Sequence, residues 1–431
     1  MPRELPGLYW NEEKQRYFPL SSKPKISSAL STPHAYPSAY PQQSLRPLSM
    51  RNNSEKSEAK RRIVDNVHNM WHASETSRAT GAPWRRSRAL HDISAISMAR
   101  TSLRCSRDIP TQGITAFCST GNTSSGNGST TVLAGDARGW LHYLEGDPER
   151  MSCSMEINLG SSISSICSWG THYVATSFGA PAKILVRNSY PEEAWSIFGL
   201  SERTCHDVWN AHLYDRRLLL GAAKKAYVLL DIEIGRGSQT LETGSDVLAV
   251  HLDNHLAYTG TRHGLINRFD TRINTRTRQT LLDQRFQRTT SSITHLNIVH
   301  DWELLVSTIR GDLETHDMRF MRGATPLMQF HGHVNSYSFP LGLAVDPQED
   351  FLFAAGQDHI VRSWSLRTGQ RVISPADCAC IEQKPLLDRA FDGYIAAMQV
   401  LSTDMGPCLW VASGPTLHLY HLGQRSVEIL A

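Results

Sequence analysis

No stretch of these 431 residues is apolar for the roughly 18 positions that a membrane-spanning helix needs. The opening Met1-Pro2-Arg3-Glu4-Leu5 has no apolar signal core, so the chain is expected inside the cell, nuclear or cytoplasmic, with no membrane partner. Cysteine is sparse: eight residues are scattered from Cys105 to Cys408. The close pair, Cys378 and Cys380, has the spacing of neither a zinc knuckle nor a redox pair. The cysteines therefore read as small buried hydrophobes. Catalytic motifs are missing as well: no Walker loop, Gly-x-Ser-x-Gly elbow, His-Glu-x-x-His or Rossmann glycine set occurs. His331 and His333 flank Gly332, but this triplet reads better as the opening of a repeat than as a metal pair. A non-enzyme without cofactor or metal is predicted.

What is present is a globular composition, 40% hydrophobic and 20% charged, with a net charge of only +3. The charge is unevenly placed. Arg51 to Arg107 holds twelve Lys and Arg against five Asp and Glu, so a basic stretch precedes a slightly acidic body.

The first 20 residues carry two aromatic pairs, Tyr9-Trp10 and Tyr17-Phe18, around a polar turn from Asn11 to Arg16. This predicts a short hairpin or an extended docking peptide. A lone hairpin is marginal in water, so it is expected to lie on the chain's own body or on a partner. Residues 21–53, rich in Ser, Pro and Gln, read as a disordered linker. Residues 54–107 read as a basic helical extension. Ile63, Val64, Val67, Met70 and Trp71 share one helical face, and a second helix is predicted from about Trp84 to Arg100 with Ala89, Ile93 and Ile96 aligned. Lys60-Arg61-Arg62 and the cluster Arg85, Arg86 and Arg88 suit nuclear import or phosphate binding, or else simply a solvated helix face.

From Gly113 the pattern becomes short alternating strands separated by Gly, Asp, Asn and Ser turns. Gly264 to Arg272 and Gly311 to Arg319 repeat one phrase: a glycine turn, a strand, a bulky ring, then Asp-x-Arg. The rings Phe269 and His316 stand 47 residues apart, and Trp364 follows after 48. Counting back and forward, Leu144, Leu230 and Tyr420 occupy the same place in other units, and Ile163 to Asn188 is the unit whose register is hardest to read. A period of this size marks one four-stranded propeller blade. The fold class is therefore all-β: a seven-bladed propeller over residues 108–431 with a partly helical, partly disordered N-terminal extension. Leu103 to Pro110 is placed to supply the strand that closes the last blade.

The sixth unit resembles the WD-repeat family: Gly332-His333 opens it, Asp358 marks its tight turn, and Trp364-Ser365 stands where Trp-Asp is usual. The resemblance implies a buried hydrogen-bond network through His333, Asp358 and Trp364, lacking its hydroxyl member because Ala354 holds that place.

The Asp-x-Arg endings are the most function-bearing feature. They fall where the third strand of a blade leaves for the fourth, so Asp270 and Arg272, Asp317 and Arg319, and Arg367 after Ser365 should gather on one rim. An arginine there pairs with its own Asp, or offers a planar fork to a partner's carboxylate. Paired Asp-x-Arg boxes are similar to those of the substrate receptors of cullin-four RING ubiquitin ligases, and the segment Leu5 to Leu20 looks like the start of the fourth of these associated factors. The resemblance implies docking on the ligase adaptor through these residues, presentation of an unidentified protein target, and a monomer within a hetero-complex. A nuclear scaffold for nucleic acid or chromatin, driven by the basic stretch, is the alternative, and a propeller hydrolase the weakest option.

Overall fold

Strand alternation in this chain has a consistent result: each blade is a four-stranded antiparallel sheet whose first strand lies at the axis and whose fourth lies outside. The computed structural model describes residues 8–11, 16–19 and 83–423, except for 122–129, 189–193, 202–204, 274–277, 284–289, 322–324, 375–384 and 404–405. Seven such sheets are present, each meeting its neighbours through an apolar cluster, seven among the described residues. Closing the ring leaves no open sheet edge facing solvent between first and last blade. The close approach has a sequence cause. At Gly135 and Gly260 a Cβ would meet the side chains of Ile163 and Ile293 at 2.4 and 2.5 Å, so only glycine lets the next blade's inner strand come so near.

Ring closure uses both ends of the propeller. Blade seven consists of Ile395–Thr403, Gly406–Ser413, Thr416–His421 and, as its fourth strand, Leu103–Asp108, with Leu103 opposite Tyr420 and Asp108 opposite Thr416. The anticipated closing strand is there, so the propeller begins at Leu103, inside the stretch assigned to the helical extension.

The helix predicted near Trp84 is α1 (Pro83–Ala99). Its buried positions are Ala89, His91, Met98 and Ala99, whereas Ile93 and Ile96 are only half-buried. Met98 and Ala99 join the core between blades six and seven. The helix is thus anchored by its C-terminal turn and by a histidine, a departure from the expected Ala89–Ile93–Ile96 stripe. The hairpin over residues 8–19 is present as the pair Leu8–Asn11 and Arg16–Pro19, with Trp10 opposite Tyr17. The linker 21–53 and the predicted face from Ile63 to Trp71 lie outside the described residues. Among the described residues no helix is long and apolar enough to cross a membrane.

Blade two runs through Ile163–Trp169, His172–Ser177, Lys183–Asn188 and Ala194–Gly199. Its third strand carries no ring near its end. Arg187 sits there instead, buried, with its guanidinium over the rings of Tyr143 (4.4 Å) and Trp195 (5.0 Å). In blade three Leu230 is exposed and Leu229 is buried, so Leu230 does not fill the slot that Phe269, His316, Trp364 and Tyr420 fill.

Candidate functional site

The third strands of blades four, five and six are Leu265–Asp270, Leu313–Asp317 and Val361–Ser365. Their last residues are equivalent by register: Asp270 faces Leu256, Asp317 faces Glu303 and Ser365 faces Phe351, each at the start of the blade's second strand. The next residue donates its N–H to a carbonyl in the turn between the first two strands, Thr271 to His255 (2.9 Å), Met318 to Trp302 (3.0 Å) and Leu366 to Asp350 (2.9 Å). Ile232 does the same to Arg216 in blade three (2.9 Å). These bonds fix the middle residue of each box and bring all the boxes to one rim.

Each Asp-x-Arg then folds on itself in the same way. Asp270 Oδ1 accepts from the backbone N–H of Arg272 (3.0 Å) and from its Nε (3.0 Å), and Oδ2 accepts from Nη2 (2.7 Å). Asp317 repeats the set with Arg319 at 2.9, 2.9 and 2.8 Å. The carboxylates are mostly covered, while Arg272 and Arg319 remain 63% and 57% exposed. Charge-assisted bonds from Arg272 hold the Asp270 carboxyl down to about 2, and those from Arg319 lower Asp317. The own Asp therefore occupies the Nε–Nη2 edge expected to clasp a partner's carboxylate. What the fork leaves outward is Nη1 and the guanidinium face. In blade five one face of Arg319 covers the Trp302 ring at 4.1 Å.

Two features of this rim were not read from the sequence. Three residues after the strand-ending Asp of blades three, four and five stand Ile234, Ile273 and Phe320, exposed by 64%, 55% and 76%. An apolar side chain so placed three times over was visible as Asp-x-x-apolar. In blade three Asp231 caps the turn through Glu233 N (2.9 Å) and Ile234 N (3.3 Å), with no arginine. The second feature is that blade six is covered by α1. Arg367 does not stand free beside Arg272 and Arg319: its Nε bonds Asp350 (2.5 Å) and its Nη1 bonds Ser87 of the helix (2.8 Å). Ser365, lacking a carboxylate, instead shares a buried hydrogen bond with His91 Nε2 (3.0 Å), whose ring stacks on Phe351 at 4.7 Å.

The residues expected to form the WD network are close but not linked as a relay. His333 lies with Nδ1 3.2 Å from Gly311 O and Nε2 3.1 Å from Ala355 O, so both ring nitrogens face backbone carbonyls and the neutral ring donates to one of them. Asp358 pairs with Arg362 (2.8 Å to Nη1), not with His333. Trp364, fully buried, donates its indole N–H to His331 O (2.9 Å) and meets His333 edge-to-face at 6.3 Å. Arg362, four residues from Asp358, outcompetes the imidazole because it is permanently charged and matches the carboxylate bidentately.

Over residues 188–385, which hold both forks and blades three to six, the chain matches the family described as the DDB1- and CUL4-associated factor 4 beta-propeller domain. Over these residues the chain is similar to the propeller of DDB1- and CUL4-associated factor 4. The expected likeness to the cullin-four-associated factors is thereby met over the blades that hold the Asp-x-Arg boxes, while the opening peptide lies outside the matched residues. Human DDB1- and CUL4-associated factor 4 is 29% identical over 161 residues, 37% of this chain and 31% of that protein. Human DDB1- and CUL4-associated factor 4-like protein 2 is 32% identical over 148 residues, 33% of this chain and 35% of that protein. The matched part thus spans about a third of the length of these curated relatives. The WD40 beta propeller domain of Doa1 matches in fold with a TM-score of 0.56 at 14% identity, covering 74% of this chain and 96% of that domain.

Proposed function

We propose that this chain is the substrate-recognition subunit of a cullin-four RING ubiquitin ligase, without catalysis of its own, which docks on the adaptor DDB1 through the Asp-x-Arg rim and holds a protein target elsewhere on the propeller. The observation that carries the reading is the pair of identically bonded forks on adjacent blades, Asp270–Arg272 and Asp317–Arg319. Exposed ion pairs contribute little to folding, so the repetition is poorly explained by stability. Beside the forks stand Ile234, Ile273 and Phe320, and the combination of exposed apolar side chains with immobilised arginines is the composition of a protein interface. α1 extends this rim across blade six, giving the partner a helix face as well. The adaptor is the one for which the similar human proteins are named.

The test is binding of purified DDB1 to the full chain and to the Arg272→Ala/Arg319→Ala double variant, beside a thermal melt. Truncating desolvated interface arginines is expected to weaken association by roughly 30- to 1,000-fold with the melt unchanged. Undiminished DDB1 binding by the folded double variant would overturn the proposal. If that variant also kept strongly salt-dependent nucleic-acid binding, the scaffold alternative would take its place.

A further inference from the structure

The axis of the propeller holds a cavity of about 320 Å³, lined by the inner strands. Three of its wall residues are histidines from consecutive blades: His212 in Asn210–Tyr214, His251 in Val247–Asp253 and His295 in Ile293–Val299. The rings of His212 and His251 lie 4.5 Å apart. His295 directly follows the bulge of its inner strand, the level at which blades one, two, four and seven carry Ala116, Ser165, Ala249 and Ala397. An imidazole placed where these four blades have small side chains fills space at the axis.

The wall is rich in donors and has no formal charge to match. Neither carboxylate, lysine nor arginine lines it; its titratable groups are the three imidazoles and the Cys167 thiol, with the Tyr258 phenol behind His251. The hydroxyls of Thr115, Ser164 and Thr294 are already committed to backbone carbonyls. Asn210 and Asn297 also line the cavity, and their side chains make no hydrogen bond among the described residues. The backbone N–H of Leu252 donates to His212 Nδ1 (3.2 Å), so the neutral ring carries its proton on Nε2, as a donor. That tautomer is wrong for a metal ligand through Nε2, and among the described residues no group of His, Cys, Asp or Glu is arranged to hold a metal.

We infer that the axial cavity binds a small oxyanion, held by the imidazoles of His212, His251 and His295 and the amides of Asn210 and Asn297. Without the anion, burial holds His212 and His295 down to about 4 and His251 well below its ordinary value, so all three are neutral at pH 7. A negative charge among them favours their protonated forms. The bound state therefore takes up protons, and affinity rises as pH falls from 7.5 towards 5.5. Reciprocally, the anion relieves the repulsion among the rings that acid creates.

Sulfate is the probe, because it stays a dianion over this range. Calorimetric titration of the full chain, at constant ionic strength set with chloride, is expected to give saturable binding. The affinity should rise by as much as about tenfold per pH unit for each proton taken up. The imidazole resonances of the unaltered chain should titrate at higher pH when sulfate is present. His212→Gln and His295→Gln retain a donor without a titrating group, so each variant should bind more weakly and with a flatter pH profile. His263→Gln, on the exposed surface, should change nothing. Absence of saturable sulfate binding at either pH would overturn the inference. So would imidazole titrations that sulfate leaves unmoved, or a folded His212→Gln/His295→Gln variant with unchanged pH-dependent affinity.

Discussion

A carboxylate that receives three hydrogen bonds from the residue two places on is a self-contained device, and Asp270 and Asp317 repeat it on neighbouring blades. Its acid behaviour follows from the sign of the shift. The Asp270 pKa is depressed in the folded chain, so the fork is fully formed above the ordinary carboxylate range and is lost only as pH falls through about 2. A carboxyl-carbon titration should find Asp270 ionised at pH 3, and fork-dependent DDB1 binding should not fall between pH 7 and 5 through this group. Arg272→Lys should not restore what Arg272→Ala removes, since an ammonium cannot hold both carboxylate oxygens and still present a planar face. Trp302 backs Arg319 alone, so Trp302→Leu should weaken adaptor binding by only about two- to fivefold, the scale of an exposed cation–π contact. A larger loss than that of Arg319→Ala would mean that Trp302 itself enters the interface.

At the scale of elements, α1 is held by few but well-buried contacts. Met98 is 1% exposed within the core between blades six and seven, and its truncation to Ala should cost about 2–4 kcal/mol in chemical denaturation. His91→Ala removes both the Ser365 bond and the stack on Phe351, and should free the N-terminal half of the helix for rapid amide exchange while the blades stay protected. Exchange that stays slow in α1 would show that its other contacts suffice. None of this docking was readable beforehand, because His91 and Ser365 are 274 residues apart and neither belongs to an apolar stripe. The blades were readable to the extent that each kept its own signal. Blades four and five combine glycine turns with Phe269 or His316 before the strand end, and blade six combines its Asp358 turn with Trp364. Blade two hides because Arg187, clamped by Tyr143 and Trp195, does the space-filling of a ring with a residue that reads as surface. The forks were legible as a spacing. That each arginine pairs with its own Asp was one of the two readings open in the sequence, but the loss of Arg367 to Ser87 was not legible, because side-chain pairing across 280 residues leaves no local pattern.

For the whole molecule, histidines that are partly or wholly withdrawn from solvent set a limit on acid tolerance. His212, His295 and His418 are held at about 4, and His251 and His333 are also lowered, each mainly by burial. A base whose folded pKa lies below its unfolded value near 6.5 binds more protons when unfolded. Stability is therefore complete above about pH 6.5 and falls as pH drops towards 4, by up to roughly 1.4 kcal/mol per pH unit for each such group. Denaturation midpoints measured from pH 8 to 4.5 should decline below 6.5, and a flat profile would mean that these rings stay solvated.

Blade seven carries a consequence for how the chain is made. Leu103–Asp108 is synthesised before any other propeller strand, yet its partner Thr416–His421 is the last of them. During translation the early strand has nothing to pair with while six blades are completed behind it. Its unpaired edge is open to wrong partners for the whole of that time. A circular permutant that begins at Gly113 and carries residues 103–108 after His421 would make the closing hairpin local, and should fold faster and aggregate less than the natural order.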